Sequence, residues 1–378
     1  MPSLISPDNN FAIWAVLIAI AGFGFWCERY PFGRKYSGVM LLITLAIVLS
    51  NLRIIPTQAP AYDAVWTYLV PVAIPLLLFQ ADLRRIFREA GKTLVAFVIG
   101  SAAVVAGVLL GIALIDLGPH ETKLAGIFTG TYIGGSLNFA AVAEVTEFPD
   151  PTVLTAAVAA DNVITNLHVL AIILLPGIAA VARLFPEHRT AADGPTLDDA
   201  PVHRIADLDV PGLLFALALA FALASVGGFA ASAFDHPEYA ILVTTLLALL
   251  IATFGKGLVG NLSGYSEAGN ALLFIFLATI GASADIWQLI EIAPILFVFA
   301  LIIVSVHLVV LLTVGRLLRL DLAEMCIASA VCIGGPASGP AIAAAKGWRD
   351  LVIPGVLAGS FGYAIGSFVG VTVYEWLR

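Results

Sequence analysis

The chain of 378 residues is 60% hydrophobic and only 12% charged, and its formal net charge is −8. Soluble domains carry about 25% charged residues, so the charge here is too sparse to cover the surface of a soluble globule. The composition therefore predicts an all-α polytopic membrane protein whose main solvent is lipid, and it excludes a soluble enzyme.

Twelve apolar segments follow one another along the chain. A helix needs about 20 apolar residues to cross a bilayer core, and we counted stretches free of Asp, Glu, Lys and Arg, allowing Asp161 as an exception. The segments are 9–27, 36–52, 64–81, 93–115, 124–143, 151–182, 210–234, 239–255, 268–284, 292–315, 325–345 and 351–374.

The polar run 183–209 separates the sixth segment from the seventh and predicts a flexible linker. Its histidines, His188 and His203, are expected to be solvated. The predicted organisation is a first transmembrane repeat at 1–182, the linker at 183–209, and a second, inverted repeat at 210–378.

The two halves match in spacing. Corresponding segments begin 199 to 204 residues apart, and Gly134-Gly135 falls opposite Gly334-Gly335 at an offset of 200. A repeat with helix-breaking glycines at matching places is typical of secondary transporters.

Basic residues indicate the topology, because cytoplasmic loops accumulate Lys and Arg. If all twelve segments cross, the 18 basic residues divide evenly between the two sides. If the interrupted segments 124–143 and 325–345 instead enter and leave on one side, only Arg53, Lys123 and Arg378 remain outside. We therefore expect about ten full crossings plus two interrupted helices, re-entrant or broken, with the N-terminus outside and the linker cytoplasmic. A bacterial inner membrane is the expected location.

The two interruptions predict a substrate site. Glycine weakens a helix by about 1 kcal/mol and proline by about 3, so each break leaves backbone groups that protein, water or a ligand must satisfy. Close packing of helices on glycine is the alternative explanation. The predicted substrate-binding residues are Thr131, Gly134, Gly135, Ser136, Asn138, Gly334, Gly335 and Ser338.

Asp161 is the sharpest single residue. It lies ten residues after Pro151, roughly 15 Å along a helix and so near the middle of the bilayer. A carboxylate there costs about 2.5–3.5 kcal/mol on insertion scales and needs a partner or a purpose. Na⁺ bound at Asp161 and Asn162, or a proton on Asp161, would be such a partner. The alternative is that Asp161 belongs to a polar face that packs on another helix. The predicted ion-binding residues are Asp161, Asn162, Thr165, Asn166 and His168.

The run GTYIGGSLNF from Gly130, continuing through DNVITNLH from Asp161, and its echo CIGGPASGP from Cys332 resemble the YjcL-type membrane proteins, a domain-of-unknown-function family. That family is distantly similar to the cation:proton antiporter and bile-acid symporter superfamily. The resemblance implies inverted repeats, an interrupted helix in each, a bundle that moves against a panel, and a homodimer. Antiporters of that superfamily carry an Asn-Asp or Asp-Asp pair where this chain has Asp161-Asn162, in reversed order.

The function expected from these features is cation-coupled transport of a small organic solute by alternating access, with Na⁺ or H⁺ as the coupling ion. A cation:proton antiporter is the first alternative, and an integral membrane enzyme is the alternative from another class. The sequence has no HExxH zinc motif and no GxSxG serine elbow, so we expect no enzyme and no cofactor. The expected partners are the solute and the bilayer, without nucleic acid.

Overall fold

The computed structural model describes residues 3–30, 37–186, 188 and 209–378, and within them every regular element is helical. Nine of the described helices are long and apolar enough to cross a membrane, which confirms the all-α membrane fold. Residues 187 and 189–208 of the predicted linker, with His203, lie outside the described residues.

The helices are α1 (Asn10–Glu28), α2 (Gly38–Asn51), α3 (Pro60–Leu78), α4 (Leu83–Glu89), α5 (Gly91–Leu114), α6 (Glu121–Gly134), α7 (Ser136–Val145), α8 (Pro151–Leu174), α9 (Val210–Ala233), α10 (Ala240–Phe254), α11 (Tyr265–Ala282), α12 (Ile286–Leu317), α13 (Leu322–Gly334), α14 (Ser338–Lys346) and α15 (Val352–Leu377). A π-helical turn, Val65–Leu69, interrupts α3.

Acidic side chains begin several of these helices. Asp150 accepts hydrogen bonds from the first backbone amides of α8, and Asp285 does the same for α12. Asp321 forms a capping box with Glu324 at the start of α13. These contacts satisfy amides that have no partner within the helix, so these acidic residues stabilise the helix ends.

Both interrupted segments fold back as hairpins. In the first hairpin, α6–α7, Lys123 Nζ donates a hydrogen bond to Glu147 O at 3.1 Å, so the start of α6 lies beside the end of α7. In the second hairpin, α13–α14, His188 lies 3.0 Å from Asp321 and 3.2 Å from Asp350, which brings its two ends together. The prediction that His188 is solvated was therefore wrong.

The hairpins start from opposite ends of the molecule. Helices α5 and α12 run antiparallel, because Gly100 lies against His307 whereas Gly111 lies against Phe299. The first hairpin follows the end of α5, and the second follows the end of α12. The two tips therefore approach each other in the middle of the bundle.

The helices form two groups. Helices α1, α2, α3, α9, α10 and α11 pack mainly on one another, and we call them the panel bundle. Helices α5–α8 and α12–α15 form the hairpin bundle. Each half of the sequence gives its first three long helices to the panel bundle and the remainder to the hairpin bundle, which is the arrangement that two repeats of one architecture produce.

Candidate functional site

The tips of the hairpins are made by two glycines in left-handed backbone conformations. Gly135 has φ 82° and ψ −171°, and Gly335 has φ 80° and ψ 175°. Side chains with a Cβ rarely adopt this region. A Cβ placed on Gly135 would lie 3.5 Å from Gly335 Cα, so the two breaks are in contact.

A cavity of about 570 Å³ lies between the hairpin tips and the panel bundle. This volume is within the range of small-molecule sites, about 300–1,000 Å³. Of the thirteen predicted site residues, eight line it: Gly135, Ser136, Asp161, Asn162, Thr165, Asn166, Gly334 and Gly335. The structure thus brings the two breaks and the mid-helix carboxylate to one space.

Asp161 is only 7% exposed, and its closest polar contacts are two hydroxyls. Thr165 donates to Oδ1 at 3.3 Å, and Thr131 donates to Oδ2 at 3.5 Å. No Lys, Arg or His belongs to the described lining of the cavity. A buried carboxylate without a basic partner requires a proton or a cation for its neutralisation.

The polar atoms around Asp161 that could bind a cation are oxygens. Besides the two threonine hydroxyls, Asn162 presents an amide oxygen, which accepts a hydrogen bond from Ser37 Oγ at 3.3 Å. Hard cations prefer carboxylate, carbonyl and hydroxyl oxygens, so this set suits Na⁺ or a proton. The described residues contain no cluster of His, Cys, Asp and Glu suited to a transition metal.

His168 does not line the cavity, although it was predicted with the ion site. Its Nε2 lies 2.8 Å from Ser329 Oγ, and that hydroxyl lies 2.9 Å from His307 Nε2. His307 Nδ1 faces Gly100 O at 2.9 Å and must donate to it, because a carbonyl only accepts. Ser329 therefore donates to His307 and accepts from His168, and the three side chains form a clamp between helices.

Four further predicted substrate residues also lie outside the cavity lining. Asn138 is buried against α15, where its amide donates to Gly362 O at 3.2 Å and its oxygen accepts from Ser367 N at 2.8 Å. Ser338 Oγ lies 2.8 Å from Gly335 O and fastens its own hairpin. Gly134 packs on the backbone of α15, and Thr131 reaches the site only through its bond to Asp161.

Comparison with known proteins agrees with this membrane architecture. Residues 15–378 match the family described as "Protein of unknown function (DUF819)". The chain belongs to this family. It is also 35% identical, over 393 residues, to "Uncharacterized membrane protein YjcL" of Bacillus subtilis (strain 168), covering 100% of this chain and 99% of that protein. The resemblance to the YjcL-type membrane proteins is confirmed, and this chain is an integral membrane protein.

The cavity residues contributed by the panel bundle were not predicted from the sequence. Gln80 after α3, and Tyr265, Glu267 and Asn270 in the first turns of α11, all line the cavity. Each predicted segment begins after a charged residue, because we counted stretches free of charge. Glu267 was therefore placed just outside the segment 268–284. A search for acids within one turn of a segment boundary would have found it.

A second cavity of about 540 Å³ lies at the opposite end of the interface between the two bundles. The end of α7 contributes Glu144 and Glu147, and α3, α9 and α10 form the opposite wall. Only the first cavity reaches Asp161.

Proposed function

We propose that this membrane protein is a secondary active transporter that moves a small organic solute by alternating access, coupled to Na⁺ or H⁺. The observation that carries the proposal is Asp161, which is buried, without a basic partner among the described lining residues, in a cavity bounded by both helix breaks. Soluble enzymes place such carboxylates in catalytic sites, but within a membrane bundle they are typical of ion pathways and transport sites.

Alternating access requires two rigid groups and a site between them. The panel and hairpin bundles are such groups, and the cavity with Asp161 lies at their interface. The second cavity, at the other end of the same interface, is where a path would open when the bundles rock.

Asp161 explains how coupling would arise. A bare carboxylate at this depth is unfavourable, so the bundles rearrange readily only when Asp161 holds a proton or a cation. Thr131, Thr165 and Asn162 complete the oxygen cage. The solute then occupies the remaining space beside Gly135 and Gly335, where free backbone groups are available.

Purified protein in liposomes tests the proposal with one variant and a matched control. Asp161→Asn keeps the shape and removes the charge; Asp150→Asn makes the same change at the cap of the same helix, where Asn also caps well. A screen of solutes under imposed Na⁺ or pH gradients should find one that the wild type and Asp150→Asn accumulate and Asp161→Asn does not. Ion-dependent thermal stabilisation should be lost in parallel. If Asp161→Asn retains both properties, Asp161 is structural and the proposal fails.

The same liposomes discriminate the alternatives. A cation:proton antiporter would release protons from the lumen in response to a Na⁺ pulse without any organic solute. A membrane enzyme would convert the solute chemically, and the product would be found by mass spectrometry. For symport we expect neither, but solute-dependent entry of the coupling ion.

The proposed orientation in a bacterial inner membrane has the N-terminus outside and the linker in the cytoplasm. Single cysteines at Ala192 and Gln288, in a background without the three native cysteines, should react with an impermeant maleimide from opposite sides. Reaction of both from one side would contradict this orientation.

A further inference from the structure

The cavity has two unlike walls. The hairpin bundle contributes Asp161 and the glycines of the breaks, whereas the panel bundle contributes the polar side chains Gln80, Glu267 and Asn270. Two carboxylates therefore face one space, one from each bundle. Within the described lining no cationic side chain opposes either of them.

The carboxylate of Glu267 has one buried oxygen, Oε2, without a hydrogen-bond partner among the described residues. An acid in the first turn of a helix interacts favourably with the amino-terminal end of the helix dipole, and Glu267 lies in the first turn of α11. Its buried oxygen lacks the partner that a charged oxygen needs.

Two other acids, Asp209 at the start of α9 and Asp82 at the start of α4, have oxygens that accept hydrogen bonds from backbone amides. Asp209 accepts a hydrogen bond from Gly212 N at 2.8 Å as the cap of α9. Asp82 accepts from Arg84 N at 3.0 Å at the start of α4. Glu267 differs because it lines the cavity and its Oε2 accepts no hydrogen bond from a backbone amide of the described residues.

We infer that the solute carries an organic cationic group, an ammonium or a comparable nitrogen cation, and that Glu267 is the residue that binds it. This inference rests on the proposed transport function and names the chemical class of its substrate. The coupling ion neutralises Asp161. Glu267 therefore requires a positive partner of its own when the bundles close and water leaves the cavity. A purely anionic solute would add a third negative charge to the same space.

A set of four-carbon probes tests the class without knowledge of the natural substrate. The full chain, purified in detergent, is melted in the presence of n-butylammonium, 4-aminobutanoate, butanoate or butan-1-ol at constant Na⁺ and ionic strength. A ligand that binds only the folded state raises the melting temperature. We expect the two ammonium-bearing probes to raise it, and butanoate and butan-1-ol to leave it unchanged.

Two variants localise the effect. Glu267→Gln should abolish the response to the ammonium-bearing probes, and Glu267→Asp should keep it at reduced size, which separates charge from loss of folding. Glu291→Gln is the matched control, since Glu291 is exposed on α12 and outside the cavity; its response should equal that of the wild type.

Three results would overturn the inference: stabilisation by butanoate in preference to butylammonium, an undiminished response in Glu267→Gln, or no response to either ammonium-bearing probe at concentrations on the order of ten millimolar. The experiment measures binding alone. A protein that binds these probes through Glu267 and transports nothing would refute the proposed function and leave the ligand class standing. Gradient-driven uptake of anions only would do the reverse.

Discussion

The first and second hairpins have nearly the same backbone at their tips, with φ near 80° at Gly135 and Gly335, yet they are fastened to the rest of the protein through different atoms. The comparison is direct because equivalent residues are 200 positions apart. In the first hairpin, α6 packs on α15 through paired glycines, with Gly130 against Gly366 and Gly134 against Gly362.

In the second hairpin, α13 is held by side-chain hydrogen bonds. Ser329 joins it to His168 of α8 and His307 of α12. The equivalent residue of the first hairpin, Thr129, donates only to Ala125 O of its own helix at 2.7 Å. A break in the backbone is thus common to both repeats, while the attachment is backbone packing in one and a polar clamp in the other.

The helices that follow the two hairpins, α8 and α15, also differ in the residues that they carry at equivalent positions. Helix α8 presents Asp161 and Thr165 to the cavity, whereas α15 has Phe361 and Gly362 at the equivalent place. Gly362 allows α6 to approach closely. Helix α8 therefore supplies the carboxylate of the site, whereas α15 supplies close packing through Gly362 and lines the cavity with Ser360 and Tyr363. The symmetry of the backbone is not a symmetry of function.

The largest effect we expect is from a methyl group on Gly134. A Cβ there would overlap the backbone of Gly362 and the side chain of Asn138, whereas a Cβ on Gly334 meets only the side chains of Ser338 and Val169 at 2.9–3.2 Å. Backbone cannot rotate away, so Gly134→Ala should destabilise the protein by about 3 kcal/mol or more, and Gly334→Ala by under about 1 kcal/mol. Melting temperatures in detergent measure both.

Gly135→Ala and Gly335→Ala are the control pair. Both residues have positive φ with no Cβ contact below 3.5 Å, so strain of about 1–3 kcal/mol should be equal in the two variants. Equal losses for Gly134→Ala and Gly334→Ala would show that the two hairpins are attached alike.

The second prediction compares two variants, each of which removes one hydroxyl from one of the hairpins. Ser329→Ala leaves His168 and His307 without their shared partner in a fully buried space, which should cost about 2–3 kcal/mol. Thr129→Val removes a hydroxyl that only bonds within its own helix, and should cost under about 1 kcal/mol. Chemical denaturation of the two variants measures the difference. A greater loss for Thr129→Val would refute the clamp.

A smaller difference is expected between Asn138 and Ser338. Asn138→Ala removes two buried hydrogen bonds to α15, for a loss of about 1–2 kcal/mol, and Ser338→Ala removes a half-buried hydroxyl, for about 0.5–1 kcal/mol. Neither residue touches the cavity. Both variants, assayed well below their melting temperatures, should therefore keep the ion dependence of the wild type. A changed ion preference in Asn138→Ala would show that Asn138 takes part in ion binding.

Sequence reasoning located the breaks because glycine and proline act locally, and it located Asp161 because a charge within an apolar run is conspicuous. It assigned His168 to the same site from the helical wheel alone. Seven residues are roughly 10 Å along a helix, so His168 shares a face with Asp161 but reaches a different neighbour. Asn138 is likewise near Gly135 in sequence, but its side chain bonds to α15 and not to the cavity.

Segment ends were the other weakness. Helix α12 begins at Ile286, six residues before the predicted start, because Asp285 caps it and the exposed Glu291 lies within it. The rule that ended segments at charged residues also hid Glu267 on the cavity wall. Burial of a polar residue depends on which helices surround it, and this information is in the tertiary packing rather than in any single segment.

The smallest predicted effect concerns the ends of the second hairpin, which His188 joins. Burial lowers the pKa of His188, but its hydrogen bonds to Asp321 and Asp350 and their charges outweigh burial and raise it. Glu324 and Lys92, of opposite charge, are ionisable groups near this contact. The first hairpin has no titratable bridge of this kind in its described part, since Lys123 bonds to a backbone carbonyl.

Because the folded-state pKa is raised, the stabilisation by His188 is complete below its ordinary pKa of about 6.5 and is lost as the pH rises through the raised value. We expect His188→Gln to lower stability by up to about 1 kcal/mol at acidic pH, and the difference from the wild type to vanish at alkaline pH. His236→Gln is the control, since its partner Glu238 forms an exposed pair away from the hairpins. Melting curves across this range decide the matter: a difference that grows with pH would mean that neutral His188, rather than its charge, holds the two ends together.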